Sequence, residues 1–158
     1  MRVLFTVILL AAFAGFGVFL YFDDQPTIVE EPLTMPEYGE ITVKHAAPLF
    51  SDGLPDGYAV VDVRSAEEYD NVHVVGTINI PISIFEESEQ PCKAVVRELP
   101  KDKKIIFLCN MGVRSGDMYY NLVDPVEDLG CGIEKDGLYY LNAEVQYNLD
   151  KLIIKAHE

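Results

Sequence analysis

The sequence predicts an α/β fold in which a parallel sheet is covered on both faces. The apolar runs Tyr58 to Val63, Lys104 to Cys109 and Leu138 to Leu141 are strand-length and lack the polar alternation of a sheet with one wet face. Helical stretches, Pro91 to Leu99 and Gly116 to Val123, fall between these runs, as crossovers between parallel strands require. The 158 residues have room for one such domain with a full core, plus a short appendage. In sheets of this kind ligands bind beyond the carboxyl ends of the strands.

The appendage comes first. Val3 to Phe22 carries no charge, with Arg2 before it and Asp23-Asp24 after it, which fits a secretory signal or a membrane-spanning helix over residues 1–22. Ala12-Phe13-Ala14 offers a cleavage site, but cutting there would leave the apolar stretch Gly15 to Phe22 on the mature end, so the uncut anchor is preferred. Arg2 would hold that end in the cytoplasm and set the domain on the extracytoplasmic side, the periplasm in a bacterium; a cleaved, secreted form is the alternative. Residues 23–39, with Pro26, Pro32 and Pro36 and several glutamates, read as an extended linker.

The folded unit is expected over residues 40–158. Ile41 reads as a brief strand, Thr42 as the cap of a short helix through Phe50, and Asp52 to Gly57 as a turn-rich loop. Tyr58 to Val63 is a buried strand, Ala66 to Tyr69 a short helix and Thr77 to Ile80 a third strand. A helix from Pro91 ends at Pro100, and Lys104 to Cys109 is the fourth strand. After the helix Gly116 to Val123, Asp124-Pro125 marks an interruption, with an insertion over Pro125 to Glu134. Leu138 to Leu141 is the fifth strand and Glu144 to Ile154 a closing helix.

The formal charge is −14, and −15 from Asp23 onward because Arg2 is the only charge before it. Such a surface repels nucleic acid, so no nucleic-acid partner is expected; the excess reads as a solvated acidic face.

Chemistry concentrates in Lys104 to Ser115, where the fourth strand ends on Cys109 and a glycine-containing turn follows. If that turn leads into a helix, the amides of Asn110 to Ser115 can converge into a cradle for negative charge. A thiolate at Cys109 would be stabilised there by the amides, the helix dipole and Arg114. Gly112 gives the loop backbone angles closed to other residues. In isolation an inert core cysteine at the end of a buried strand is the safer reading of Cys109.

Upstream, Asp62 to Pro81 reads D-V-R-S-A-E-E-Y-D-N-V-H-V-V-G-T-I-N-I-P. Asp62, Arg64, Glu68, Tyr69, His73, Gly76, Ile78, Asn79, Ile80 and Pro81 together resemble the signature of rhodanese-like domains, and Cys109 to Ser115 is similar to that family's C-x-x-G-x-R-S active loop. The resemblance covers most of Tyr58 to Leu141. It implies a three-layer α/β/α domain with a five-stranded parallel sheet in the order 3-2-4-5-1. It also implies a sulfurtransferase in which Cys109 carries a persulfide and Asn110, Met111, Gly112, Val113, Arg114 and Ser115 hold the substrate. Asp62, Arg64 and His73 would be structural residues near the site. The expected partners are a small anionic sulfur donor or a protein persulfide, a thiol acceptor, and the membrane through the N-terminal helix. No metal or organic cofactor is implied.

Three departures qualify this reading. Asn110 stands where many thiosulfate-using members have Arg or Lys, Val72 replaces a usual Gly, and Leu141 to Glu144 takes the place of a Gly-Gly turn. The first makes a non-catalytic or sulfur-carrier module the alternative function. A phosphatase or arsenate reductase of the same fold would need C-x5-R, and Arg114 falls one position too early for it. No G-x-S-x-G elbow surrounds Ser115, so it is not a hydrolase nucleophile. Three cysteines leave one thiol free if any two pair: Cys92 and Cys131 are either a disulfide or two unpaired small hydrophobes.

Overall fold

A computed structural model of the chain describes residues 33–157, so the expected anchor, Val3 to Phe22, and the linker through Pro32 lie outside the described residues. No helix among the described residues is long and apolar enough to cross a membrane.

Five strands form the central sheet: β1 Gly39–Thr42, β2 Tyr58–Asp62, β3 Ile78–Asn79, β4 Lys104–Leu108 and β5 Leu138–Asn142. All pair in parallel in the order β1-β5-β4-β2-β3, which is the expected order read from the other edge. Helices α1 Val43–Leu49, α2 Ala66–Asn71, α3 Ile84–Glu87, α4 Pro91–Glu98 and α5 Val113–Val123 connect them. Local sequence explains their ends. Ser65 caps α2, accepting from the Glu68 N–H while the Glu68 carboxylate accepts from the Ser65 N–H, and Pro91 opens α4, where a missing N–H costs nothing. At the far end of α5, Asp124 turns extended ahead of Pro125, which cannot continue a helix.

The central strands β2, β4 and β5 send alternate residues into two cores. On one face Val61, Val63, Ile105, Phe107, Leu138 and Tyr140 pack with Val95 of α4 and Met118, Tyr119 and Leu122 of α5. On the other, Ile41, Val60, Ile106, Leu108, Tyr139 and Leu141 pack with Ala46 of α1 and Val145. Burial on both faces accounts for the unbroken apolar runs, each such side chain contributing about 1.5–3 kcal/mol.

The expected closing helix is not formed. Glu144–Tyr147 and Leu152–Lys155 are instead strands β6 and β7 of an antiparallel hairpin, closed over Leu149 and Asp150 by reciprocal bonds between Asn148 and Lys151. The hairpin wins because Val145 and Tyr147 alternate with Glu144 and Gln146, so that one side of the ribbon carries the apolar contact. One layer of the expected α/β/α sandwich is therefore α1 plus a ribbon rather than helices alone. The stretch Pro125 to Glu134 holds a single 3-10 turn, Val126–Asp128, and a loop stitched to α5 by the Cys131 N–H on the Asn121 carbonyl and the Ile133 N–H on that of Leu122. Cys131 of that loop is joined to Cys92 of α4 by a disulfide. The four-residue α3 has no counterpart in the elements read from the sequence.

Candidate active site

Cys109 is the first residue beyond β4 and is 2% exposed. It stands beside the end of β2, since Asp62 pairs with Leu108 and the Val63 N–H donates to the Leu108 carbonyl at 2.9 Å. The chain then turns through Asn110 and Met111 to Gly112, the N-terminal cap of α5. Glycine is required there on two counts. Its φ is +79°, and a Cβ would lie 2.8 Å from Asn142 Oδ1 and 3.0 Å from the Asn142 Cα at the end of β5. The first helical bond runs from the Gly116 N–H to the Gly112 carbonyl, so the amides of Val113, Arg114 and Ser115 have no intrahelical acceptor and lie at the positive end of an eleven-residue helix.

Ser115 is fully buried and locks this turn. Its hydroxyl has the Gly112 and Leu141 carbonyls at 2.8 and 3.1 Å, and its oxygen accepts from the Cys109 thiol at 3.7 Å. The hairpin holds the loop from the other side, through the Val145 N–H on the Asn110 carbonyl at 2.8 Å. Met111 and Val113 are 51% and 68% exposed and, with exposed Asn110, form the rim around the buried sulfur.

Arg114 does not stand free beside the thiol. Its guanidinium donates to both carboxylate oxygens of Glu68, at 2.6 and 2.9 Å, on helix α2. That contact is the largest influence raising the Arg114 pKa, burial opposes it, and Cys109 adds a smaller upward push, which puts the cation within electrostatic reach of the sulfur. The same bond is the main reason the Glu68 carboxyl is lowered to about 2, against a burial penalty and with help from Ser65.

Asp62 and Arg64 form a buried, multiply bonded pair. Arg64 Nη2 lies 2.6 Å from Asp62 Oδ2 and 2.8 Å from the Val72 carbonyl, and Asn79 Nδ2 donates to the carbonyls of both Asp62 and Arg64 at 2.9 Å. These bonds join the end of β2 to α2 and β3, and buried charges of this kind persist only when so paired. His73 stacks on Tyr69 with centroids 3.9 Å apart, its Nδ1 2.7 Å from the Tyr69 carbonyl. Among the described residues no three His, Cys, Asp or Glu side chains gather where they could hold a metal.

Sequence reasoning missed two residues of the site. Glu68 was legible as a residue of the family signature but not as the partner of Arg114, because that contact bridges elements distant in the chain. Tyr147 was assigned to a helix that does not form. It lies against the site: the Arg64 guanidinium stacks 3.3 Å from its ring centroid, and its hydroxyl is buried with no hydrogen-bond partner among the described residues.

Comparison with known proteins places this geometry. The Rhodanese-like domain model matches residues 45–143, from α1 to the residue after β5. An uncharacterised 16.5 kDa protein of Synechococcus elongatus is 32% identical over 78 residues, 49% of this chain and 50% of that protein. The chain thus spans about half the length of the curated relative it matches. Among solved structures, a rhodanese-related protein of Thermoplasma volcanium is similar at 24% identity and a TM-score of 0.43, over 68% of this chain and 86% of that one. A rhodanese-like domain of Anabaena sp. is similar at 15% identity and a TM-score of 0.46, over 70% of each. With more than half of the sequence matched, including the Asp62 signature and the Cys109 loop, the chain belongs to the rhodanese-like domain family, whose fold serves as a sulfurtransferase-like or sulfur-carrier module.

Proposed function

We propose that the protein moves sulfane sulfur through a persulfide on Cys109. The Cys109 thiolate attacks the outer sulfur of a donor, a new S–S bond forms, and the bond to the rest of the donor breaks, its electron pair leaving with that fragment. A thiolate acceptor then attacks the terminal sulfur and Cys109 departs as the thiolate, so each step exchanges one S–X bond for another. No cofactor takes part. The observation that carries this reading is the single free thiol set at the mouth of α5, where helical N–H groups without an intrahelical acceptor are available to an anion.

The Arg114–Glu68 pair refines the choice of donor. With its charge largely answered by a carboxylate, and with Asn110 supplying no second cation, the loop offers less to a dianion such as thiosulfate than to a singly charged persulfide. A second reading, a carrier module that receives sulfur only from another protein, is favoured by the exposed apolar rim of Met111 and Val113 around a sealed sulfur. The domain acts on the extracytoplasmic side, tethered by Val3 to Phe22. Arg2 ahead of an uncharged run supports that placement, and a Cys92–Cys131 disulfide suits an oxidising compartment.

The test is mass spectrometry of the purified protein after exposure to thiosulfate or a small-molecule persulfide. Wild type should gain the mass of one sulfur atom and Cys109→Ser none, with the same melting temperature. Loading from a protein persulfide alone would select the carrier reading. Loading that survives in Cys109→Ser would move the chemistry to another residue.

A further inference from the structure

The Tyr147 hydroxyl is a buried polar group with no hydrogen-bond partner among the described residues. Its ring is fixed by the stacked guanidinium of Arg64, which Asp62 and the Val72 carbonyl hold in turn. Val145, two residues earlier and so on the same side of β6, bonds the carbonyl of Asn110, the residue after Cys109. Because β2 and β4 end side by side, with Asp62 opposite Leu108, this ring stands where Arg64 and Cys109 leave the sheet. Its hydroxyl oxygen is sealed from solvent and has no partner among the described residues, a costly state that native structures rarely leave without a role.

The charges around it define that role. Burial raises the phenol pKa most, Asp62 and Cys109 add to the rise, and Arg64 and Arg114 oppose it. The net direction is well above the ordinary tyrosine value, so the group stays protonated: a donor, never a base. The group within its field that develops an unpaired negative charge during the proposed reaction is the sulfur on Cys109. Asp62 is already bonded to Arg64.

We propose that the Tyr147 hydroxyl donates a hydrogen bond to the terminal, anionic sulfur of the Cys109 persulfide, a contact to the reacting atoms supplied by the β6–β7 hairpin. The proposal rests on the persulfide reading above. When thiosulfate loads the enzyme, the Cys109 thiolate forms the new S–S bond, sulfite leaves with the pair from the broken one, and the negative charge remains on the terminal sulfur while Tyr147 keeps its proton. The hairpin lies beyond residues 45–143, so this donor comes from outside the part of the chain that carries the family match.

Tyr147→Phe removes only the oxygen. The full-length protein and the variant are brought to equilibrium in a buffer of fixed thiosulfate to sulfite ratio, and persulfide and free thiol at Cys109 are counted by intact mass in molecules whose Cys92–Cys131 bond is unbroken. The persulfide to thiol ratio should fall about tenfold in the variant, the effect of one hydrogen bond to a charged sulfur, while the melting temperature stays equal or rises. An unchanged ratio overturns the proposal and leaves the persulfide reading standing. A wild type that never loads overturns both. A variant that melts well below wild type shows that the hydroxyl is bonded within the fold, and overturns the proposal alone.

Discussion

At the scale of single residues, Glu68 connects helix capping to the reactive loop. Its carboxylate accepts from the Ser65 N–H and hydroxyl at 3.1 and 3.0 Å and from both arms of Arg114. Its folded pKa, about 2, lies below the ordinary value of 4.5, so the pairing stabilises the fold above pH 4.5 and that stability is lost as pH falls toward 2. The side chains of the pair are 34% and 36% exposed, so solvent screening keeps the contribution under about 1 kcal/mol. The difference in melting temperature between wild type and Glu68→Gln should accordingly be largest above pH 5 and shrink toward pH 2. A gap that persists at pH 2 would show that the glutamate acts through packing alone. The same variant frees the Arg114 charge, so loading from thiosulfate should accelerate relative to loading from a singly charged persulfide, measured as the ratio of the two initial rates. An unaltered ratio would mean that donor choice is set elsewhere.

Among the elements, the sheet was the most legible. Strands buried on both faces must be apolar throughout, and runs such as Ile105 to Leu108 announce themselves without tertiary information. The loop was legible for a different reason: Cys109, Gly112, Arg114 and Ser115 sit at spacings fixed by backbone geometry, and a turn with a left-handed cap tolerates few alternatives. The hairpin was not. Four-residue strands give too few repeats to separate a period of 2 from one of 3.6, and Val145, Leu149, Leu152 and Ile153 also satisfy helical spacing. Losing the hairpin meant losing Tyr147. The short helix α3 escaped for a similar reason, being little more than a turn. The loop after α5 is tied to α4 by the Cys92–Cys131 bond, which spans a separation of 39 residues. Replacing both cysteines with alanine should lower stability by about 4 kcal/mol on the chain-entropy account, with Cys109 loading retained. Denaturant unfolding checks the first expectation; a double variant as stable as wild type would mean that the unfolded chain is not constrained by the bond.

For the whole molecule, charge and topology carry the remaining expectations. A formal charge of −15 from Asp23 onward should disfavour attraction to anionic lipid surfaces, so the proposed tether is the apolar leader rather than surface attraction. Protease added outside intact cells, or outside spheroplasts where an outer membrane is present, should remove the domain from Asp23 onward. Protection until the cytoplasmic membrane is broken would invert the topology and with it the oxidising setting for the disulfide.

The bond from Val145 to the Asn110 carbonyl also orders events in time. A chain growing from the ribosome presents Cys109 before the hairpin that braces its loop exists, and β1 waits for β5, which is made only after the cysteine. Until then the thiol sits in a loop with neither its brace nor the neighbouring Tyr147. Synthesis itself thus leaves the Cys109 loop unbraced until β6 has been made.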